Sequence, residues 1–517
     1  MKFYLLLLPN LLLAQVPNVN VLRWVSPDSS KPKTFREWRS SFSPTQSWWV
    51  KSLSINNPGR PESEGNKSQP RVDILVQDSL VPAISAELET LKSDLLAEGY
   101  DVALFAVSGT SCESLRAFLQ NEYQRGLIAA VLIGNLPVPW FQMIDDWDND
   151  YERDPDEGYE EFPCDLFLMD LDGIWEDSRM RYGTFDSLIS GVDSIYDDHY
   201  GDIEPEIGIS RIYVSTIGNE DSLIKDYLSR CHLYRTQELP VIDRALVYID
   251  DDWEPWAGEW DSCVGLLYLR RVFISDPEET RVLDYQPRID TAPYQWIQLC
   301  AHSWPGGHAM KFAQGDSWDW FYADWIPGLD PEVCFYNLFA CSNVRFVEQG
   351  YCGGMYVFTT SSGLAAIGST KTGSMLAFED FYGPLGSNNT LAEAFRHWFT
   401  QRAQDGFEPW EKSWFYGMCL IGDGLLKPKV YTPIAEEQTT PPTNGSRLTA
   451  TIVRKVLIPY SAVSGGRSEV VASLLDISGR KVMELSPGPN DVSRLPAGVY
   501  FLRDKERRTI RSVTIIH

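Results

Sequence analysis

Basic residues are in short supply: 45 Lys and Arg stand against 72 Asp and Glu, a net charge of −27 over 517 residues. A nucleic-acid partner calls for clustered Lys and Arg, so this balance argues against one. Long apolar runs are missing as well. The chain opens with Met1-Lys2 and is then apolar from Phe3 to Leu13, ending at Ala14-Gln15. Such a run is too short to span a membrane and reads as a secretory signal peptide over residues 1–14. No later run is long enough to form a transmembrane segment, and no cysteine follows the first closely enough for a lipid anchor. The nine cysteines are odd in number and unclustered. Few disulfides and at least one free thiol are expected. No pair of His or Cys shows ligand spacing, so no metal site of the zinc type is expected.

What is present is ample for packing. Apolar residues make up 44% and the chain carries 18 Trp, while its length calls for two or three domains. Residues 15–70 read as an irregular lead-in or pro-segment. From Arg71 the pattern sharpens: Val72–Val76 is a strand, and Ile84, Leu88, Leu91 and Leu95 are spaced for a helix that Gly99 ends. Tyr100–Val107 is a second strand. Thr110-Ser-Cys-Glu113 fits a capping box for the next helix, and Ile128–Ile133 is a third strand. This alternation predicts a parallel α/β subdomain over 71–235. Residues 145–161 hold ten acidic residues without the ligand order of a calcium loop, and read as a solvated acidic loop.

A second α/β subdomain, 236–428, opens at Arg244-Ala-Leu-Val-Tyr-Ile249 and closes at Leu420-Ile-Gly-Asp423. Inside it, two apolar runs end abruptly in a reactive residue. Gln295–Ala301 delivers His302, followed by Ser303-Trp-Pro-Gly-Gly-His308, and Cys334–Ala340 delivers Cys341. In parallel sheets the chemistry sits outside the carboxyl ends of the strands, so His302 and Cys341 form a candidate base–nucleophile pair. Their 39-residue separation leaves room for one crossover helix. His308 is the rival base, more readily a residue lining the cleft. Residues 429–445 are a Pro/Thr/Glu linker. Residues 446–517 then turn basic, with twelve Lys and Arg against six Asp and Glu, and read as a small all-β, immunoglobulin-like sandwich.

These strand ends, with Ala365-Ala-Ile-Gly-Ser-Thr370, Val131-Leu-Ile-Gly134, Asp170-Leu-Asp-Gly173 and Ile209-Ser-Arg211, resemble the gingipain-type cysteine peptidases of the caspase-fold clan. The likeness runs over about 70–428. The tail, with Leu474-Leu-Asp-Ile-Ser-Gly-Arg480 and Leu495-Pro-Ala-Gly-Val-Tyr-Phe501, resembles the sorting domains of type IX secretion cargo. The resemblance implies two caspase-like subdomains and an endopeptidase with Cys341 as nucleophile and His302 as general acid/base. It also implies protein or peptide substrates, export to the cell surface or medium, and secretion machinery as a partner of the tail. In the clan a Gly follows the catalytic His, where this chain has Ser303, and Gly306 or Gly307 stands in as an oxyanion donor. A gingipain-like scaffold without activity, used for adhesion, is the alternative. No cofactor is required, and structural calcium stays open. Gingipains cleave after Arg or Lys, and a buried cation needs a carboxylate. The loop Asp250-Asp-Asp-Trp253 is the candidate pocket, with one of Asp250, Asp251 and Asp252 as the acid and Trp253 stacking on the substrate stem. A solvated turn or a calcium site is the competing reading of that loop.

Overall fold

The computed structural model describes residues 19–41, 47–53, 69–150, 154, 157–183, 187–312 and 317–428, and most of the strands between 450 and 515. The signal peptide and the linker lie outside the described residues. The chain divides into two compact units, Met1–Thr432 and Pro433–His517.

The first unit is mixed α/β around one large, mostly parallel sheet of eleven strands, and the described residues hold twelve α-helices. The strands are β1 (Trp49–Ser52), β2 (Arg71–Gln77), β3 (Asp101–Ser108), β4 (Leu127–Ile133), β5 (Gly208–Ile212), β6 (Ala245–Ile249), β7 (Arg271–Ile274), β8 (Tyr294–Cys300), β9 (Val333–Phe339), β10 (Ala365–Ser369) and β11 (Met418–Gly422). Their spatial order is β1-β3-β2-β4-β5-β11-β10-β9-β8-β6-β7. Strands β8 and β9 are buried at every position, which is why they read as near-continuous apolar runs.

The two α/β regions expected from the sequence share this sheet. The seam is β11, which comes from the end of the unit and lies parallel to β5 but antiparallel to β10. The carboxyl ends of β10, β9, β8, β6 and β7 therefore gather on one edge, opposite to those of β2 to β5. Gly422 ends the seam strand at φ +103°, where a Cβ would stand 2.3 Å from the Leu364 carbonyl oxygen. Glycine is the residue that fits both demands.

Three local expectations are corrected. The cap of the helix Cys112–Tyr123 is Ser111, whose hydroxyl accepts from the Ser114 N–H, rather than Thr110. The connection from β8 to β9 is not one crossover helix. It is a three-stranded antiparallel sheet, His302–Trp304, Gly307–Phe312 and Ser317–Tyr322, with a four-residue helix at Ile326–Leu329. The acidic stretch is only partly solvated: Asp145, Asp146 and Glu157 are buried, and the hairpin Trp140–Ile144/Tyr159–Pro163 frames it.

The second unit is all-β among its described residues. It has a five-stranded sheet and a two-stranded ladder, with Leu474, Leu485, Val492 and Tyr500 as its core.

Candidate active site

Four neighbouring strand ends build the site. In the register, Ile249 pairs with Cys300, Cys300 with Phe339, and Asn337 with Ile367. Counting two residues past the Cys300–Phe339 pair places His302 level with Cys341. The loop after β6 supplies Asp250, Asp251 and Asp252 to the same edge, and the loop after β10 supplies Lys371 and Thr372. Immediately after Cys341 the chain turns through Ser342, a non-glycine residue at φ 55°, and the Ser342 N–H donates to the Lys371 carbonyl at 2.9 Å. A left-handed residue just past a reactive one is a strained turn of the kind that functional sites retain.

His302 is 1% exposed and held from several directions. Its Nε2 bonds Asp252 Oδ2 at 2.6 Å. Its Nδ1 accepts from the Arg23 backbone N–H at 3.1 Å. The Trp253 ring lies 4.8 Å from the imidazole and the Trp318 ring meets it edge-on at 5.2 Å. Burial pushes the imidazole below its ordinary pKa, while the hydrogen bond and charge of Asp252 act the other way. Burial also opposes the charge of Asp252, yet His302 and Lys311 hold its carboxyl down at about 2. The Lys311 ammonium reaches it at 2.6 Å. A buried ring with a carboxylate on Nε2 has its tautomer fixed, with Nδ1 left as the acceptor.

Cys341 is fully buried, and its Sγ faces two hydroxyls, donating to Thr372 Oγ1 at 3.5 Å and lying 3.7 Å from Ser342 Oγ. Thr372 Oγ1 donates in turn to Glu160 Oε1 at 2.6 Å. Glu160 and Asp145 both bind the buried Lys371 ammonium, at 3.0 and 2.8 Å. Burial pushes the Cys341 thiol up to about 12, and the charge of Glu160 adds to it. Burial disfavours the Lys371 charge, but the two carboxylates outweigh it and hold that ammonium above its ordinary pKa. Among the described residues neither nitrogen of His302 bonds the thiol: Nε2 is on Asp252 and Nδ1 on the Arg23 N–H.

The remaining sequence candidates are placed as follows. Asp252 is spent on His302 and Lys311, so it is not an open pocket acid. Asp250 is buried with Oδ2 on the Lys311 N–H at 2.8 Å, and burial pushes its carboxyl well up. Burial also raises Asp251. Among the described residues the carboxylate triads close enough to share a cation are Asp146/Asp148/Glu157 and Asp170/Asp172/Glu206, and none of the three belongs to them. Trp253 packs on His302 and donates from Nε1 to the Asn20 carbonyl at 2.8 Å, so it is not a free stacking face. Gly306 and Gly307 turn the hairpin, and a Cβ at Gly307 would meet the Phe321 carbonyl oxygen at 2.0 Å. Ser303 Oγ donates to the Cys341 carbonyl at 2.6 Å, tying the two strand ends together.

His308, the rival base, is brought to a different thiol. Its Nε2 lies 3.1 Å from Tyr356 Oη and 3.6 Å from Cys352 Sγ, in the core. Burial pushes its pKa down to about 3. The unfolded ring takes up a proton near pH 6.5, and the folded ring only near 3. Stability from this group is therefore complete above pH 6.5 and lost as pH falls toward 3, at roughly 1.4 kcal/mol per pH unit. His308→Phe is expected to flatten the acid limb of the unfolding free energy, measured by denaturant titration between pH 7 and 4. An unchanged slope would show that the ring titrates normally.

The sequence reading missed Asp145, Glu160, Lys311, Lys371 and Thr372, and it assigned Asp252 another role. It also left the lead-in without a place. Residues 20–25 run over the site: Asn20 Nδ2 donates to the Asp252 carbonyl at 2.7 Å, and the Val25 N–H donates to the Ser303 carbonyl at 3.0 Å. Further on, Arg345 binds the Lys33 carbonyl and Trp38 of the helix Phe35–Ser40 packs on Trp140. All nine cysteines are free thiols. No described helix is long and apolar enough to cross a membrane. Compared with known proteins, the chain matches no family model and no curated protein.

Proposed function

We propose that the chain is an exported cysteine endopeptidase of the gingipain type, with Cys341 as nucleophile, His302 as general acid/base and Asp252 orienting His302. The observation that carries this is the register of β6, β8 and β9. It makes neighbours of the three strands that lead into Asp252, His302 and Cys341 on one carboxyl edge. With Asp252 on Nε2, the other nitrogen takes the thiol proton, and the thiolate attacks the peptide carbonyl. The same nitrogen then returns the proton to the leaving amine, and water hydrolyses the thioester. Turnover of a mixed peptide library, with Cys341→Ala as control, tests the assignment. Cleavage that persists in that variant would end it.

The second reading is an inactive surface protein on the same scaffold. It is favoured by Ser303 in the place of Gly and by the two occupied nitrogens of His302. Saturable binding to a polysaccharide or host protein, without turnover or thiol labelling, would decide for it.

The tail is proposed as the export address, on its basic charge and its separate compact fold. Deleting residues 446–517 should leave peptidase activity intact and hold the protein in the periplasm. Surface delivery of the truncated chain, read by fractionation, would refute the address.

A further inference from the structure

Of residues 19–25, only Leu22 is fully buried; Arg23 beside it is exposed and the others are half-buried or exposed. The peptide nitrogen that follows Leu22 is the one resting on His302 Nδ1 at 3.1 Å. In amide cleavage the general acid must deliver its proton to the nitrogen of the breaking bond, so that contact is where a leaving amine has to lie. The residues after it continue along the site in order. Trp24 bridges to Ser303 in parallel, and the Val25 N–H donates to the Ser303 carbonyl at 3.0 Å. On the other side Asn20 is held at both ends, its carbonyl by Trp253 Nε1 and its amide by the Asp252 carbonyl. A segment anchored before and after one peptide bond, with that bond's nitrogen on the base, matches the leaving-group side of a bound substrate.

We propose that residues 20–25 are a built-in substrate, that the enzyme cuts its own Leu22–Arg23 bond, and that it prefers a bulky aliphatic residue before the scissile bond. This rests on the peptidase reading above and gives it a substrate class. The chemistry balances without any further reactant than water. The Cys341 proton passes to His302, and Sγ bonds to the Leu22 carbonyl carbon. The C–N bond to Arg23 then breaks as His302 returns the proton to that nitrogen. Water cleaves the thioester, leaving a Leu22 carboxylate, a new amino terminus at Arg23 and a restored thiol. The Arg23 N–H points at Nδ1 only while the nitrogen is an amide. Once the carbonyl carbon is tetrahedral, the nitrogen lone pair can accept from the imidazolium at the same distance.

The side chain before the cut explains the preference. Leu22 places a full aliphatic side chain out of water, which burial of apolar surface favours. An Arg or Lys there would need an open carboxylate, since an unpaired buried cation is costly. Three of the acids on this edge are committed: Asp252 to His302 and Lys311, Glu160 to Lys371 and Thr372, and Asp250 to the Lys311 N–H.

The test uses the full chain and two peptides. On incubation of the full chain, intact mass and amino-terminal sequencing should show a new terminus at Arg23. It should form at a rate independent of protein concentration, and be absent in Cys341→Ala and in Leu22→Asp. The peptide Val-Asn-Val-Leu-Arg-Trp-Val-Ser should be cut between Leu and Arg. Its counterpart with Arg in place of that Leu should be cut at least tenfold more slowly. An intact chain that still cleaves other peptides overturns the self-cleavage and leaves the peptidase reading standing. Faster cutting of the Arg counterpart overturns the aliphatic preference. Processing at Arg23 that persists in Cys341→Ala belongs to another protease and overturns the proposal. Absence of any turnover and of any thiol labelling, in the full chain and in one that begins at Arg23, removes the peptidase reading itself.

Discussion

Cys341→Ala is expected to bring peptide turnover down to background, a fall on the order of 10⁵–10⁶-fold, and to remove labelling by thiol-directed inhibitors. The size of the effect follows from the absence of a substitute at that point of the fold. The hydroxyls beside the thiol belong to Thr372 and Ser342. The first of them already donates to Glu160, a carboxylate whose pKa is held down by Lys371 and Thr372 against its own burial. It therefore has no base placed to activate it as a nucleophile. The fold should survive the change, because loss of one buried sulfur costs only about 1 kcal/mol. Circular dichroism and a thermal melt within a few degrees of the parent separate a chemical loss from an unfolded protein. Full labelling of the variant would mean that another of the nine free thiols is the reactive one.

Asp252→Ala carries the second large effect. Without the carboxylate on Nε2, the His302 ring loses both its fixed tautomer and its orientation, and a drop of about 10³–10⁴ in kcat is expected. The pH profile supplies a signature that a structural role would not. Burial pushes the imidazole down and Asp252 pulls it up. Removing Asp252 leaves burial unopposed, so the neutral, basic form persists to lower pH. The acid limb of kcat/KM should therefore move toward lower pH even as the plateau falls. A pocket acid for Arg or Lys substrates would behave differently. Its loss would cut kcat/KM for basic substrates alone, and would spare thiol labelling and the acid limb. An acid limb that stays in place with kcat intact would remove Asp252 from the orienting role.

The candidate site was half legible in the chain. His302 and Cys341 stood out because each follows a short run of buried residues, and an abrupt end to such a run is a local feature. Asp252 stood out as an acid at a strand's end, but its partner could not be read. Whether it faces a substrate cation or an imidazole depends on which of β6 and β8 neighbour each other. The pair Lys371–Glu160 lies 211 positions apart in sequence and left no periodic trace. Lys371 looked like any other lysine after a strand, and Glu160 was lost among the acids of a loop taken as solvated.

What the sequence determined by itself is what short-range rules control. These are the alternation of strands and helices from Arg71 on, the buried character of β8 and β9, and the strand-end positions of His302 and Cys341. Patterns of burial repeat over a few residues, so the chain displays them directly. Tertiary structure alone decided the rest. It made one eleven-stranded sheet of two α/β regions by inserting β11 as an antiparallel seam. It replaced the expected crossover helix with a three-stranded sheet that carries His302. It also laid residues 20–25 across the site. Each of these is a pairing between segments remote in sequence. The backbone groups that bond across such distances are the same at every residue, so their choice of partner emerges only when the whole sheet is assembled.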